Sequence, residues 1–312
     1  MSSLAKPAVF ALGLVAVFGA ATVVGAAAGP VGEPVASAHD GEMSGEGGAG
    51  HGSDNSAGHG SGHSGEEAAP AAVPGGLQVS EQGYTLALGS RSLRPGRDVP
   101  LTFQVQDTEG EPITGYTRSH GKDLHLIVVR RDLTGYQHVH PELAADGTWS
   151  VPVDVPRGGQ YRVFADFLPS GLDEGLTLGA DLSVPGRYDP APQSSTSSPS
   201  TTSSVDGYDV RIEGDLDPGR ASLLEFEVSR NGVPVKDLQP YLGASGHLVA
   251  LRDGDLAYLH VHPAEDQAGS GPTVSFYAEV PSRGDYRLFL DFKHDGVVHT
   301  AEFTLSAGDH GH

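Results

Sequence analysis

The tetrapeptide His138-Val139-His140-Pro141 returns unchanged as His260-Val261-His262-Pro263. The histidine thirteen residues ahead of each copy returns too, as His125 and His247, so every member of one set lies 122 residues from its counterpart. The repetition extends beyond the histidines. Pro95-Gly96-Arg97 is answered by Pro218-Gly219-Arg220, HLIVVRR at 125–131 by HLVALRD at 247–253, and the Gly159-to-Phe167 segment by Gly284 to Phe292. A repeat of this length means two copies of one folding unit, and 312 residues are enough for each copy to bury its own core.

The units read as β-sheet. Segments such as YTLALG (84–89), VPLTFQVQD (99–107), LHLIVVR (124–130), TWSVPVDV (148–155) and YRVFADF (161–167) carry strand-forming residues and are parted by turn residues at short intervals. The expected fold class is all-β: two tandem β-sandwich domains, cupredoxin-like or immunoglobulin-like, over 76–186 and 207–306. The Gly-x-Tyr start of the late strand, at Tyr161 and again at Tyr286, has the form of an immunoglobulin-type tyrosine corner. A Pro/Ser/Thr linker is expected at 187–206, and a short histidine-containing tail at 307–312.

Ahead of the sandwiches, residues 7–28 form an uncharged apolar run preceded by Lys6 and followed by no Lys or Arg until Arg91. That is the pattern of a single membrane span with its N-terminus in the cytoplasm. Ala36-Ser37-Ala38 offers the alternative of a cleaved signal peptide. Either reading of residues 1–28 puts the rest of the chain outside the cytoplasm, membrane-anchored or secreted. Residues 29–75 are rich in Gly, Ser and His, including His51, His59 and His63, and are too poor in apolar residues to order themselves.

Composition narrows the chemistry. A net charge of −21 argues against nucleic acid as a partner, because phosphate binding needs clustered Lys and Arg. Cysteine is absent and methionine occurs only as Met1 and Met43, which excludes thiolate copper centres. A metal held here would meet imidazole with oxygen in support, a donor set for copper(II) or zinc(II). No G-x-S-x-G, H-E-x-x-H or reactive cysteine suggests catalysis.

In a strand, His138 and His140 point to the same face, with Cα atoms about 6.6 Å apart, close enough for both rings to reach one ion. His260 and His262 do likewise in the second copy. If LHLIVVR and the HVHP segment pair as a hairpin across Arg131–Gly135, the simplest count sets His138 opposite Val128 and His140 opposite Leu126. His125 is then a diagonal neighbour of His140. The candidate metal ligands are therefore His125, His138, His140, His247, His260 and His262, with His120, Asp166, Asp291, His294 and His299 as further candidates.

The segments KDLHLIVVRRDLTGYQHVHP (122–141) and YLGASGHLVALRDGDLAYLHVHP (241–263) resemble those of exported or membrane-anchored two-module bacterial proteins associated with copper and other heavy metals. The resemblance covers both units and the apolar N-terminus. It implies cupredoxin-like or immunoglobulin-like modules outside the membrane. Ser245 stands where such proteins carry methionine, which removes a thioether from the second copy and with it support for a Cu(I) role.

The expected function is thus non-enzymatic: sequestration or hand-off of Cu(II) or Zn(II), with a membrane metal transporter or another surface protein as the onward partner. The competing expectation is a structural or adhesive surface protein whose histidines serve packing. A metallohydrolase is the least favoured reading.

Overall fold

The computed structural model describes residues 73–191, 199–259, 261–264 and 271–308. The expected membrane span at 7–28, nearly all of the 29–75 segment and His260 lie outside these residues. All regular structure among the described residues is β-strand, and every strand pairing is antiparallel apart from one isolated bridge, Ser92 with Ser183.

In the first copy, β1 (Ser80–Glu81), β2 (Tyr84–Leu88), β3 (Gly96–Gln106), β8 (Thr148–Val155) and β7 (Glu142–Leu143) form one sheet in the order β1-β2-β3-β8-β7. The facing sheet runs β10-β9-β5-β6, from β10 (Leu176–Val184), β9 (Gly159–Pro169), β5 (Leu124–Arg130) and β6 (Gln137–Val139), with β4 (Tyr116–Thr117) on β9. Leu101, Phe103, Val105, Trp149 and Val153 from one sheet meet Leu124, Leu126, Val163, Ala165 and Leu178 from the other in a single core. Period-2 alternation in β8, TWSVPVDV, supplies that face while sending Ser150 and Pro152 to solvent.

The second copy repeats the plan. Its outer sheet is β11 (Thr202–Val205), β12 (Tyr208–Glu213), β13 (Ala221–Arg230), β18 (Thr273–Glu279) and β17 (Val261–Pro263), with β14 (Val233–Pro234) on β13. Its inner sheet is β16 (Tyr258–Leu259), β15 (His247–Arg252), β19 (Gly284–His294) and β20 (Val297–Ala307), in that order. The copy begins earlier than its composition suggests. Thr202–Val205, expected as linker, pairs with Tyr208–Arg211, and Ala307, expected as tail, is the last residue of β20. Both tyrosine corners are present: the Tyr161 hydroxyl donates to the Arg157 carbonyl at 2.9 Å and the Tyr286 hydroxyl to the Ser282 carbonyl at 2.7 Å.

The two inner sheets face each other. Along β5, Leu124, Leu126 and Val128 enter the core of their own sandwich, while Ile127 and Val129 enter a third cluster shared with Val249, Leu251, Leu256 and Phe289 of the second copy. This explains why LHLIVVR is apolar on both sides: every residue of β5 is buried. Contacts across the seam are reciprocal. Tyr136 stacks on Phe289 at 3.9 Å between ring centroids, and Tyr258, its repeat counterpart, meets Phe164 at 5.7 Å. Such exchange of equivalent residues marks an approximate two-fold relation between the copies.

A backbone strap joins the seam from the N-terminal side. Tyr258 N–H donates to the Gly75 carbonyl at 2.9 Å, and Gly76 N–H donates to the Thr177 carbonyl at 2.7 Å. The Arg162 guanidinium donates to the Gly76 carbonyl at 2.6 Å. Any side chain at position 179 would collide with this strap, since a Cβ there lies 1.9 Å from the Gly76 oxygen.

Candidate metal centre

The hairpin register differs by one residue from the simplest count. Ile127 lies across from His138 and Leu126 across from Val139, so the next step of the ladder sets His125 opposite His140. A one-residue shift exchanges the faces of a strand. Here it puts His125, His138 and His140 together on the face that looks across the seam. The shift originates in the turn, where Leu133 adopts a left-handed conformation (φ 62) and buries itself among the seam residues instead of lying in a polar loop.

The imidazoles converge. His125 Nδ1 lies 3.1 Å from His138 Nε2 and 3.2 Å from His140 Nε2. From the second copy His247 enters at the start of β15, its ring parallel to that of His125 within 11° and 5.4 Å away, and 4.6 Å from that of His138. Donor atoms of His125, His138 and His247 all lie within 4.8 Å of one another.

The surrounding hydrogen bonds fix where the protons sit. His125 Nε2 is 3.1 Å from the Ser119 carbonyl, which can only accept, so Nε2 carries hydrogen and Nδ1 presents a lone pair. His138 Nδ1 donates to Asp291 Oδ2 at 2.8 Å. Asp291 is held in turn by the Thr300 hydroxyl, which donates to Oδ1 at 2.6 Å. The His125 lone pair therefore points at His138 Nε2, 3.1 Å away. A proton on His140 Nε2 would satisfy His125 alone, and His247 Nδ1 is buried with no hydrogen-bond partner. Two nitrogens bound to one ion at about 2.0–2.1 Å, at angles between square and tetrahedral, stand roughly 2.9–3.4 Å apart. The contacts here of 3.1 and 3.2 Å fall within that interval.

Electrostatics keep His125, His140 and His247 neutral. Burial, reinforced by the neighbouring His138, lowers His125 to about 4 against the partial opposition of the Ser119 carbonyl. Burial and the proximity of His138 and His125 lower His140 to about 3, and burial holds His247 well below the ordinary imidazole range. Neutral imidazole is the form that binds a metal.

The remaining candidates separate. His120 is exposed on a turn, with its ring 6.2 Å from that of His125 and 6.0 Å from that of His247. Asp166 is paired in register with His125, accepts from the Thr177 hydroxyl at 3.2 Å, and is raised by burial. Asp291 accepts from His138 Nδ1 and orients its ring. His262 is exposed on β17, across from Tyr277 in the outer sheet. His294 is engaged by Tyr208 and Asp237, and His299 by Asp206, all within the second copy. Among the described residues, the histidines that meet are His125, His138 and His140 of the first copy and His247 of the second, one cluster across the seam. Residue pattern alone does not reveal the Ser119 carbonyl or Thr300; the doubly apolar β5 and β15 are the signal that another layer must cover them.

Residues 78–178 and 203–309 both match one protein family, Domain of unknown function (DUF8832). The chain belongs to that family. The two matched spans of this DUF8832 protein correspond to its two sandwiches. Comparison with curated proteins finds no match. Among solved structures the chain is similar to Yersinia pseudotuberculosis InvD, at 10% identity and TM-score 0.23, over 73% of this chain and 58% of that one. It is also similar to invasin, a bacterial integrin-binding protein, at 16% identity and TM-score 0.22, over 74% and 41% of the respective chains. Domains 4 and 5 of the S-layer protein SbsC match at 10% identity and TM-score 0.21, over 74% of this chain and all (100%) of that one. The chain spans less than two thirds of InvD and of invasin. Likenesses at these scores carry no function from those proteins to this DUF8832 chain.

Proposed function

We propose that this protein binds one Cu(II) or Zn(II) ion between its two β-sandwiches, outside the cytoplasm, for sequestration or hand-off. His125, His138 and His140 of the first copy and His247 of the second are the ligands. The observation that carries the reading is the convergence of donor atoms of His125, His138 and His247 within 4.8 Å of one another, with His247 Nδ1 buried and without a hydrogen-bond partner. A buried nitrogen without a partner is costly, and a cation bound to it offsets the cost of lost hydration. Asp291 supplies the carboxylate–histidine arrangement that orients metal ligands and raises their basicity. With His125, His138, His140 and His247 all bound, no coordination position would be left for water, which favours holding an ion over activating water on it. Export rests on the apolar run at 7–28 and the charge asymmetry around it.

The other reading is an adhesive or structural surface β-sandwich protein. The similar solved structures are bacterial surface proteins, and that reading needs no ion at the seam.

The test uses the full chain with His39, His51, His59, His63, His310 and His312 changed to alanine, so that flanking histidines do not contribute. Equilibrium dialysis at micromolar free Cu(II) or Zn(II), followed by metal analysis, should give one equivalent per chain, lost in His125→Ala with His138→Ala. Less than half an equivalent, or binding indifferent to that double substitution, returns the protein to the adhesive reading.

A further inference from the structure

Ser119 and Lys122 exchange backbone hydrogen bonds, at 2.9 and 3.1 Å, around a two-residue turn whose central residues His120 and Gly121 both have positive φ, 50 and 77. This is the mirror-image turn of tight hairpins, which calls for left-handed residues at both central positions. The second copy builds the same turn: Tyr241 and Ala244 exchange bonds at 2.7 and 3.2 Å around Leu242 and Gly243, with φ of 54 and 85. Leucine therefore suffices at this position, and the imidazole of His120 is not needed to make the turn.

Its placement is specific all the same. The ring stands about equally far from those of His125 and His247, one from each copy. It is exposed, whereas His125 is 2% exposed and the side chain of His138 is buried to the same degree. The preceding residue, Ser119, holds His125 through its carbonyl, so the turn is tied to the innermost ligand.

We infer that His120 is the exchange ligand of the seam site, the imidazole through which an ion enters and leaves; this rests on the metal reading above. An ion cannot shed its whole water shell at once on the way into a buried site. The exposed imidazole of His120 replaces one water, forming its metal–nitrogen bond as that water departs, and the inner imidazoles then displace the remaining waters and finally His120 itself. Release runs the steps in reverse, with an external acceptor taking the place of water. No proton or electron is gained or lost by the ion in either direction. A group used only in transit changes rates and leaves the equilibrium alone.

The test compares the full chain, its flanking histidines replaced as above, with the same chain carrying His120→Leu, which copies the second turn, or His120→Asn, which tolerates left-handed φ. Stopped-flow measurement follows uptake of aqueous Cu(II) in a weakly coordinating buffer and its removal by excess EDTA. Both substitutions should slow uptake and removal by at least about tenfold, with Kd changed less than about twofold. Faster removal with unchanged uptake and a weakened Kd would make His120 an ordinary fixed ligand and overturn the inference. Unaltered rates would overturn it as well. A parent chain that takes up no Cu(II) defeats the metal reading itself and this inference with it, an outcome visible before any variant is made.

Discussion

Asp291, on the second copy, accepts a hydrogen bond from Nδ1 of His138, on the first, at 2.8 Å, with both side chains 2% exposed. A carboxylate of one sandwich thus sets the tautomer of an imidazole of the other. Asp291→Asn keeps the shape and loses the charge that makes His138 a strong donor. Metal affinity should fall by about 10- to 100-fold, the usual cost of losing such a partner. Competition against a chelator of known affinity measures it, and an unchanged affinity would remove Asp291 from the site.

Acid should weaken the metal-free protein before it touches the carboxylates. An unfolded imidazole titrates near 6.5, whereas folded His125 does so at about 4. Above pH 6.5 both states hold the ring neutral and the full stability is present. As pH falls from 6.5 to 4 the unfolded chain takes up a proton that the folded chain refuses, and stability drops. At about 1.4 kcal/mol per pKa unit the loss from His125 alone is on the order of 3 kcal/mol. Urea midpoints across this window should decline in the metal-free chain, and His125→Leu should flatten the decline.

The seam should make the two sandwiches unfold as one. Phe289 is fully buried and stacks on Tyr136 across the boundary. Phe289→Ala should cost about 3–5 kcal/mol. Calorimetry should then resolve two transitions where the parent shows one; a single, merely lowered transition would mean that the copies are coupled by something else.

Each tyrosine corner closes its own sandwich. Tyr161→Phe and Tyr286→Phe leave the Arg157 and Ser282 carbonyls without their donors, and each should cost about 1–2 kcal/mol in chemical denaturation, with metal binding intact.

Much of this architecture is legible in the chain. Alternation in TWSVPVDV, the Gly-x-Tyr corners and the duplicated segments lead directly to two sandwiches, and the His-x-His spacing leads to a same-face pair. Two things escape. The polar look of Arg131–Gly135 hides Leu133, which turns inward on a left-handed backbone and shifts the hairpin by one residue, moving His125 from a diagonal position to one opposite His140. Repetition also invites the assumption that each copy keeps its own ligands. The copies meet through the very faces that carry them, so His247 joins the histidines of the other sandwich and His262 is left on an outer sheet. Sequence separation, 122 residues from His125 to His247, conceals a contact that only the packing of whole domains creates.

The strap at Gly75 and Gly76 bears on how such a protein can be rearranged. The amide of Tyr258 and the guanidinium of Arg162 belong to different sandwiches, yet both close on adjacent carbonyls of this one short piece of chain. Neither sandwich is therefore a free-standing cassette. A shuffled or transplanted copy that did not bring residues 73–79 along would lose the carbonyl that its own edge bonds in this chain.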